Sequence, residues 1–180
     1  HVTVPTNYTF MLDRHLISRV EQLLKRYQMY GCKLILSTSI DGKYCETNRP
    51  LKNYKIDPRD DTFYDKVFSF NSKYAFGFHP MVYSRNIEKW IDNFLWFQDM
   101  FRKHRIPYYN LYLLEIRNKE WSPSQIKTFG EFVRYIIKWT WKHKCEENRA
   151  KFLHFLFKLK GYNMLQSPFT TIGRGIGCSI

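Results

Sequence analysis

Paired cysteines, blocks of like charge and long apolar runs are all missing from this chain. Its four cysteines, Cys32, Cys45, Cys145 and Cys178, show no C-x-x-C or other paired spacing. Neither a zinc ribbon nor a disulfide framework can therefore be read from them, and a reducing cytoplasm is the expected setting. No apolar run approaches the roughly 18 residues that span a bilayer. The opening His1-Val2-Thr3-Val4-Pro5 has neither the charged nor the apolar region of a signal peptide. A start directly on an expected strand, without an initiator methionine, reads as an excerpt or a processed piece. No internal repeat is visible. The run Gly173-Arg174-Gly175-Ile176-Gly177 lacks the P-loop lysine and a following helix, so it reads as a flexible connection rather than a nucleotide loop.

What is present is a folding sequence. A length of 180 residues allows one core that buries roughly 70% of the surface exposed in the unfolded chain. Aromatic residues make up 18% of the chain, which argues against disorder because each ring offers a large apolar area to bury. Lys and Arg number 29 against 16 Asp and Glu, a net charge of +13 that attracts anionic partners. The basic residues are interleaved with aromatics, however, and solvated helix faces explain most of them.

The apolar spacing predicts alternating elements. After a short strand at Val2-Thr3-Val4, Asp13 is placed to cap a helix carrying Leu16, Ile17, Val20, Leu23, Leu24 and Tyr27 at the 3.6-residue period, ended by Gly31. Residues 33–40 read as a strand buried on both faces, turned by Asp41-Gly42. Residues 43–59 read as a long loop, followed by a short helix over 62–70 and an irregular strand over 74–82 with Gly77 and Pro80 near its end. Ser84 or Asn86 is expected to cap the next helix, whose stripe is Ile87, Trp90, Ile91, Phe94, Phe97 and Phe101. A strand over 110–116 follows. Ser122-Pro123-Ser124-Gln125 is a capping box that opens a helix with Ile126, Phe129, Val133, Ile136 and Ile137 inward. A last helix is expected over 146–160. Cys32 is expected to be buried, Cys45 exposed, and Trp90, Trp96, Trp139 and Trp141 to pack in the core rather than stack on bases.

Four alternations of strand and helix predict an α/β fold with a parallel sheet, open or curled into a partial (β/α) barrel of about four strand-helix units. Ligands in such folds sit beyond the carboxyl ends of the strands. Those ends carry Thr6, Asn7, Ser37, Ser39, Asp41, His79, Glu115 and Arg117. Their hydroxyls and amides suit ribose and carboxylate groups. A histidine at a strand end is more often packed than catalytic, so His79 is set aside.

Leu36-Ser37-Thr38-Ser39-Ile40-Asp41-Gly42, followed by Asn48-Arg49-Pro50, resembles the S-x-D-G and N-R-P pattern of radical S-adenosylmethionine peptide and sulfatase maturases. Val4-Pro5-Thr6-Asn7 is similar to that family's T-N-G turn, with Tyr8 where glycine is usual. Residues 173–178 resemble the entry to its cysteine-rich (SPASM-like) auxiliary domain. The resemblance implies domains over 1–160, a partial barrel, and 161–180, a linker into the auxiliary domain. It implies S-adenosylmethionine contacts at Ser39, with Ser37, Thr6, Asn7, Arg49 and Asp41 as further candidates, and Cys178 as an auxiliary cluster ligand. In that family a C-x-x-x-C-x-x-C loop holds a 4Fe–4S cluster that binds S-adenosylmethionine, whose cleavage yields a radical that removes a substrate hydrogen. Neither that loop nor the family's G-G-E-P motif occurs in this sequence, so the chain alone is expected to be inactive.

The function expected by resemblance is part of an enzyme that modifies a peptide or protein in an anaerobic cytoplasm, served by an electron-donor protein, and its basic surface suits an acidic substrate. The alternative from charge alone is a nonenzymatic basic module for RNA or acidic peptides, although no nucleic-acid motif supports RNA. A third reading is a structural remnant of the fold. An apolar sheet edge is expected to be exposed and to be covered by a missing segment or by oligomerisation.

Overall fold

A computed structural model describes residues 1–46, 61–107, 110–111, 114–115 and 121–144. The chain divides into two compact units, His1–Phe132 and Val133–Ile180.

The first unit opens with strand β1 (Val2–Thr6), a 3-10 turn (Thr9–Leu12) and helix α1 (Arg14–Met29). The Asp13 carboxylate accepts from the backbone N–H groups of His15 at 2.7 Å and Leu16 at 3.3 Å, two of the donors that a helix start leaves without partners. Gly31, at φ +66°, ends the helix, and Cys32 N–H donates to the Tyr27 carbonyl at 2.9 Å, closing a Schellman motif. Strand β2 (Leu34–Thr38) then runs parallel to β1, with Val2 opposite Leu34 and Thr6 opposite Thr38.

Helix α2 (Asp61–Tyr74) is followed by β3 (Met81–Val82), a 3-10 turn (Ser84–Lys89), α3 (Trp90–His104), β4 (Leu114–Glu115) and α4 (Pro123–Lys144). Neither Ser84 nor Asn86 caps α3; its first turn grows out of the 3-10 segment with Lys89 at the cap position and no side-chain bond there. The expected capping box does form. Gln125 Oε1 accepts from Ser122 N–H at 2.9 Å while Gln125 N–H donates to Ser122 Oγ at 3.3 Å.

The partial barrel of four strand-helix units is not formed. The described residues are mostly helical, and their strands make two separate two-stranded parallel sheets, β1–β2 and β3–β4, touched by single bridges at Thr38–Phe78 and Phe78–Leu111. The reason is local. Helix α2 continues to Tyr74, Ala75 closes it at φ +55°, and Pro80, which has no N–H, allows only two residues of β3. Strand β2 is also not buried on both faces: Leu34, Leu36 and Thr38 are buried, whereas Ile35 and Ser37 are half-buried.

The core lies between α2, α3 and the strand segment at Phe78. Phe68, Phe78, Phe97 and Phe101 are each no more than 2% exposed. Phe68 stacks on Phe78 at 4.4 Å between ring centroids, and Phe78 meets Phe101 at 5.3 Å. Burying each such ring stabilises the fold by roughly 1.5–3 kcal/mol. Trp90 packs on Phe132 of α4 at 5.6 Å.

Described residues of the second unit are the rest of α4. Ile136 and Thr140 are buried there, and Trp139 stacks on His143 at 4.6 Å. Trp141, expected in the core, is 62% exposed, as is Ile126 at 57% in the first unit. No helix among the described residues is long and apolar enough to cross a membrane. The expected helix over 146–160 and the segment 161–180 lie outside the described residues.

Candidate functional site

The carboxyl ends of β1 and β2 lie side by side. Ser39 N–H donates to the Thr6 carbonyl at 2.8 Å, extending the parallel ladder one residue past β2. Strand alternation then sorts the side chains. Thr38 pairs with Thr6 and with Phe78, and its hydroxyl accepts from Asn71 Nδ2 of α2 at 2.6 Å, so these three residues take the face toward the helices. Ser37, Ser39 and His79 take the opposite face. There Ser37 Oγ and His79 Nδ1 lie 2.8 Å apart, and His79 N–H donates to the Thr38 carbonyl at 2.8 Å. Ser37, Ser39 and His79 are half-buried.

Thr6 and Asn7 hold the turn that follows β1. Thr6 Oγ1 accepts from Tyr8 N–H at 3.1 Å, and Asn7 Oδ1 accepts from Thr9 N–H at 3.2 Å and Thr9 Oγ1 at 2.9 Å. Tyr8 stands in the left-handed region at φ +62°, the conformation that glycine adopts without strain. Its ring offsets that cost. It is fully buried, 5.1 Å from Phe10 and 5.9 Å from Phe70, and burial pushes the phenol pKa up.

Asp41 serves as a latch. Its Oδ1 accepts from Met81 N–H at 2.7 Å, its carbonyl accepts from Asn93 Nδ2 at 2.8 Å, and Asn93 Oδ1 accepts from Tyr44 N–H at 3.2 Å. These bonds tie the loop after β2 to β3 and α3, and Asp41 is only 3% exposed. Gly42 is required beside it. At φ +93° a Cβ here clashes with Asn93 Oδ1 and meets Phe97 Cε2 at 2.8 Å.

The two described cysteines reverse their expected places. Cys32 is exposed, because the Schellman turn brings it to the surface, and Cys45 is buried under the Asp41 loop. Burial first, and the nearby Asp41 carboxylate second, push the Cys45 thiol up to about 12, so it stays protonated and unreactive at neutral pH. Arg49, Arg117 and Cys178 lie outside the described residues, as does the side chain of Glu115. Among the described residues no group of three or more His, Cys, Asp or Glu is arranged to hold a metal ion.

The structure thus brings Ser37 and Ser39 together with His79, which sequence reasoning had set aside. A signal for it existed. Phe76 and Phe78 alternate in Phe76-Gly77-Phe78-His79, so a buried Phe78 turns His79 to the other face. Asn93, hidden in the apolar stripe of α3, carried no such signal. No protein-family profile, curated protein or solved structure matches the chain.

Proposed function

We propose that this chain contributes an S-adenosylmethionine-facing surface to a radical enzyme that modifies a peptide or protein. The observation that carries the reading is the polar trio Ser37, Ser39 and His79 at the carboxyl ends of parallel segments, on the face turned from the aromatic core. It coincides with the S-x-D-G motif at residues 39–42 and the T-N turn at Thr6-Asn7.

In this reading the Ser37 and Ser39 hydroxyls hydrogen-bond the ribose or carboxylate of the cofactor, with His79 held in orientation by Ser37. Asp41 acts through the latch, keeping the loop after β2 against β3. Thr6 and Asn7 shape the neighbouring turn. The bound cofactor supplies the hydrogen-abstracting chemistry. The described residues provide no ligand set for its iron–sulfur cluster, so that part of the site is assigned to none of them.

Calorimetric titration of the 180-residue chain with S-adenosylhomocysteine, which carries the same ribose and carboxylate groups, tests the reading. Saturable binding is expected, weakened about tenfold in Ser39→Ala through loss of a hydrogen bond. Arg102→Ala, at an exposed residue paired with Asp99, leaves it unchanged. Absence of binding, or equal loss in both variants, refutes the proposal.

A further inference from the structure

We propose that the open edge of β1 is a docking site for an acidic, extended peptide that joins the β1–β2 sheet as an added strand. The peptide's chemical fate rests on the functional reading above; its docking does not.

The backbone supplies the first argument. Val2 N–H donates to the Lys33 carbonyl and the Thr6 carbonyl accepts from Ser39 N–H, so Val2, Val4 and Thr6 turn their main-chain groups toward β2. Alternation turns those of Thr3 and Pro5 the other way, leaving the Thr3 N–H and C=O and the Pro5 C=O along an edge that no described strand pairs with. Parallel strands are ordinarily covered, and peptides bind such edges by completing the ladder.

Exposure supplies the second. Of the ten large hydrophobic residues exposed among those described, seven fall in residues 1–30, including Val2 at 45%, Val4 at 42% and, in α1, Leu16 and Leu23 at 42% and 46%. Leu23 also lines, with Arg26, Tyr27, Tyr30 and Cys32, a cavity of about 290 Å³. It is next in sequence to Lys33, whose carbonyl holds Val2, and its lining suits an apolar side chain with a neighbouring carboxylate.

Charge selects the occupant. Residues 1–33 carry Arg14, Arg19, Lys25, Arg26 and Lys33 against Asp13 and Glu21. Both acids are already engaged, Asp13 as the cap of α1 and Glu21 with Lys73 at 2.7 Å. An acidic strand is therefore attracted. A second copy of this chain brings a further +13 and the same missing donor at Pro5, so it is a poorer fit.

Fluorescence anisotropy of the full chain with a labelled synthetic peptide of alternating Val and Glu tests the docking, with a Val and Lys peptide as counterpart. The acidic peptide is expected to bind, the basic one not, with affinity falling as ionic strength rises. Val4→Glu, which sets a like charge against the acidic strand, weakens binding about tenfold, and Pro5→Ala, which restores a donor at the edge, tightens it about threefold. Circular dichroism checks that both variants fold. No binding of the acidic peptide, equal binding of the basic one, or indifference to both variants overturns the proposal. So does sedimentation showing a dimer that Val4→Glu dissociates, because the edge then belongs to a second copy. The same preparation titrated with S-adenosylhomocysteine separates the two proposals: peptide binding without cofactor binding removes the cofactor reading and leaves the edge standing, and the converse result does the reverse.

Discussion

Helices α1 and α3 are nearly equal in length, at 16 and 15 residues, and both carry apolar side chains at helical spacing. Helix α3 buries eight side chains, among them Trp90, Phe94, Phe97 and Phe101, whereas α1 buries only Leu24. The difference lies in the neighbours. Helix α3 meets α2 and the strand segment at Phe78 through interlocking rings, while among the described residues α1 meets chiefly the 3-10 turn before it and β2. Amphipathic spacing states which face a helix offers, and packing partners decide whether that face is used.

Truncations measure the contrast most directly. Phe97→Ala removes a ring from the centre of the core and is expected to cost about 3–5 kcal/mol in a denaturant titration. Leu16→Ala, on the exposed stripe of α1, should cost less than about 0.5 kcal/mol. Similar losses at the two positions would erase the distinction between the regions.

Two glycines repeat the comparison at the level of the backbone. Gly31 and Gly42 both have positive φ, but a Cβ on Gly31 meets nothing within 4 Å, whereas on Gly42 it strikes Asn93 and Phe97. Gly31→Ala should cost only the conformational strain, about 1 kcal/mol, and Gly42→Ala about 2–4 kcal/mol because the clash adds to it. Thermal unfolding of the two variants side by side checks the ranking.

Legibility followed the same divide. Local signals were readable: the Asp13 cap, the Gly31 stop, the Ser122 capping box and the stripe of α3 all stand where their chemistry placed them. Competition between local preferences, and tertiary outcomes, were not. The sequence around Tyr74 is rich in aromatic residues and reads as strand, but the Phe70–Tyr74 contact at 4.8 Å extends α2 instead, and the expected barrel is lost with the strand. Cys45 looked like a loop residue because the Asp41–Met81 bond that draws its segment inward joins positions far apart in the chain. At the site, Ser37 and Ser39 were legible from their motif, whereas their partner His79 became visible only once the strand pairing fixed its face.

The smallest expected effect concerns the surface of the packed region. Lys103, with His104 adding to it and partial burial opposing, holds the Asp65 carboxyl below its ordinary value. Its stabilising contribution is therefore complete above the ordinary carboxylate range and is lost as pH falls through the lowered folded value. Because the carboxylate is about a third exposed, the effect should stay under about 1 kcal/mol. Asp65→Asn should flatten that part of the stability profile below about pH 4, and an unchanged profile would show that the pair adds nothing to α2–α3 packing.

Tyr8 couples places that are distant along the chain. Its main chain stays in an unfavourable basin only while its ring is gripped by Phe10 and Phe70. The turn after β1 therefore depends for its shape on that aromatic grip. Phe70, on α2 and far along the chain, thereby helps to hold the rim in place.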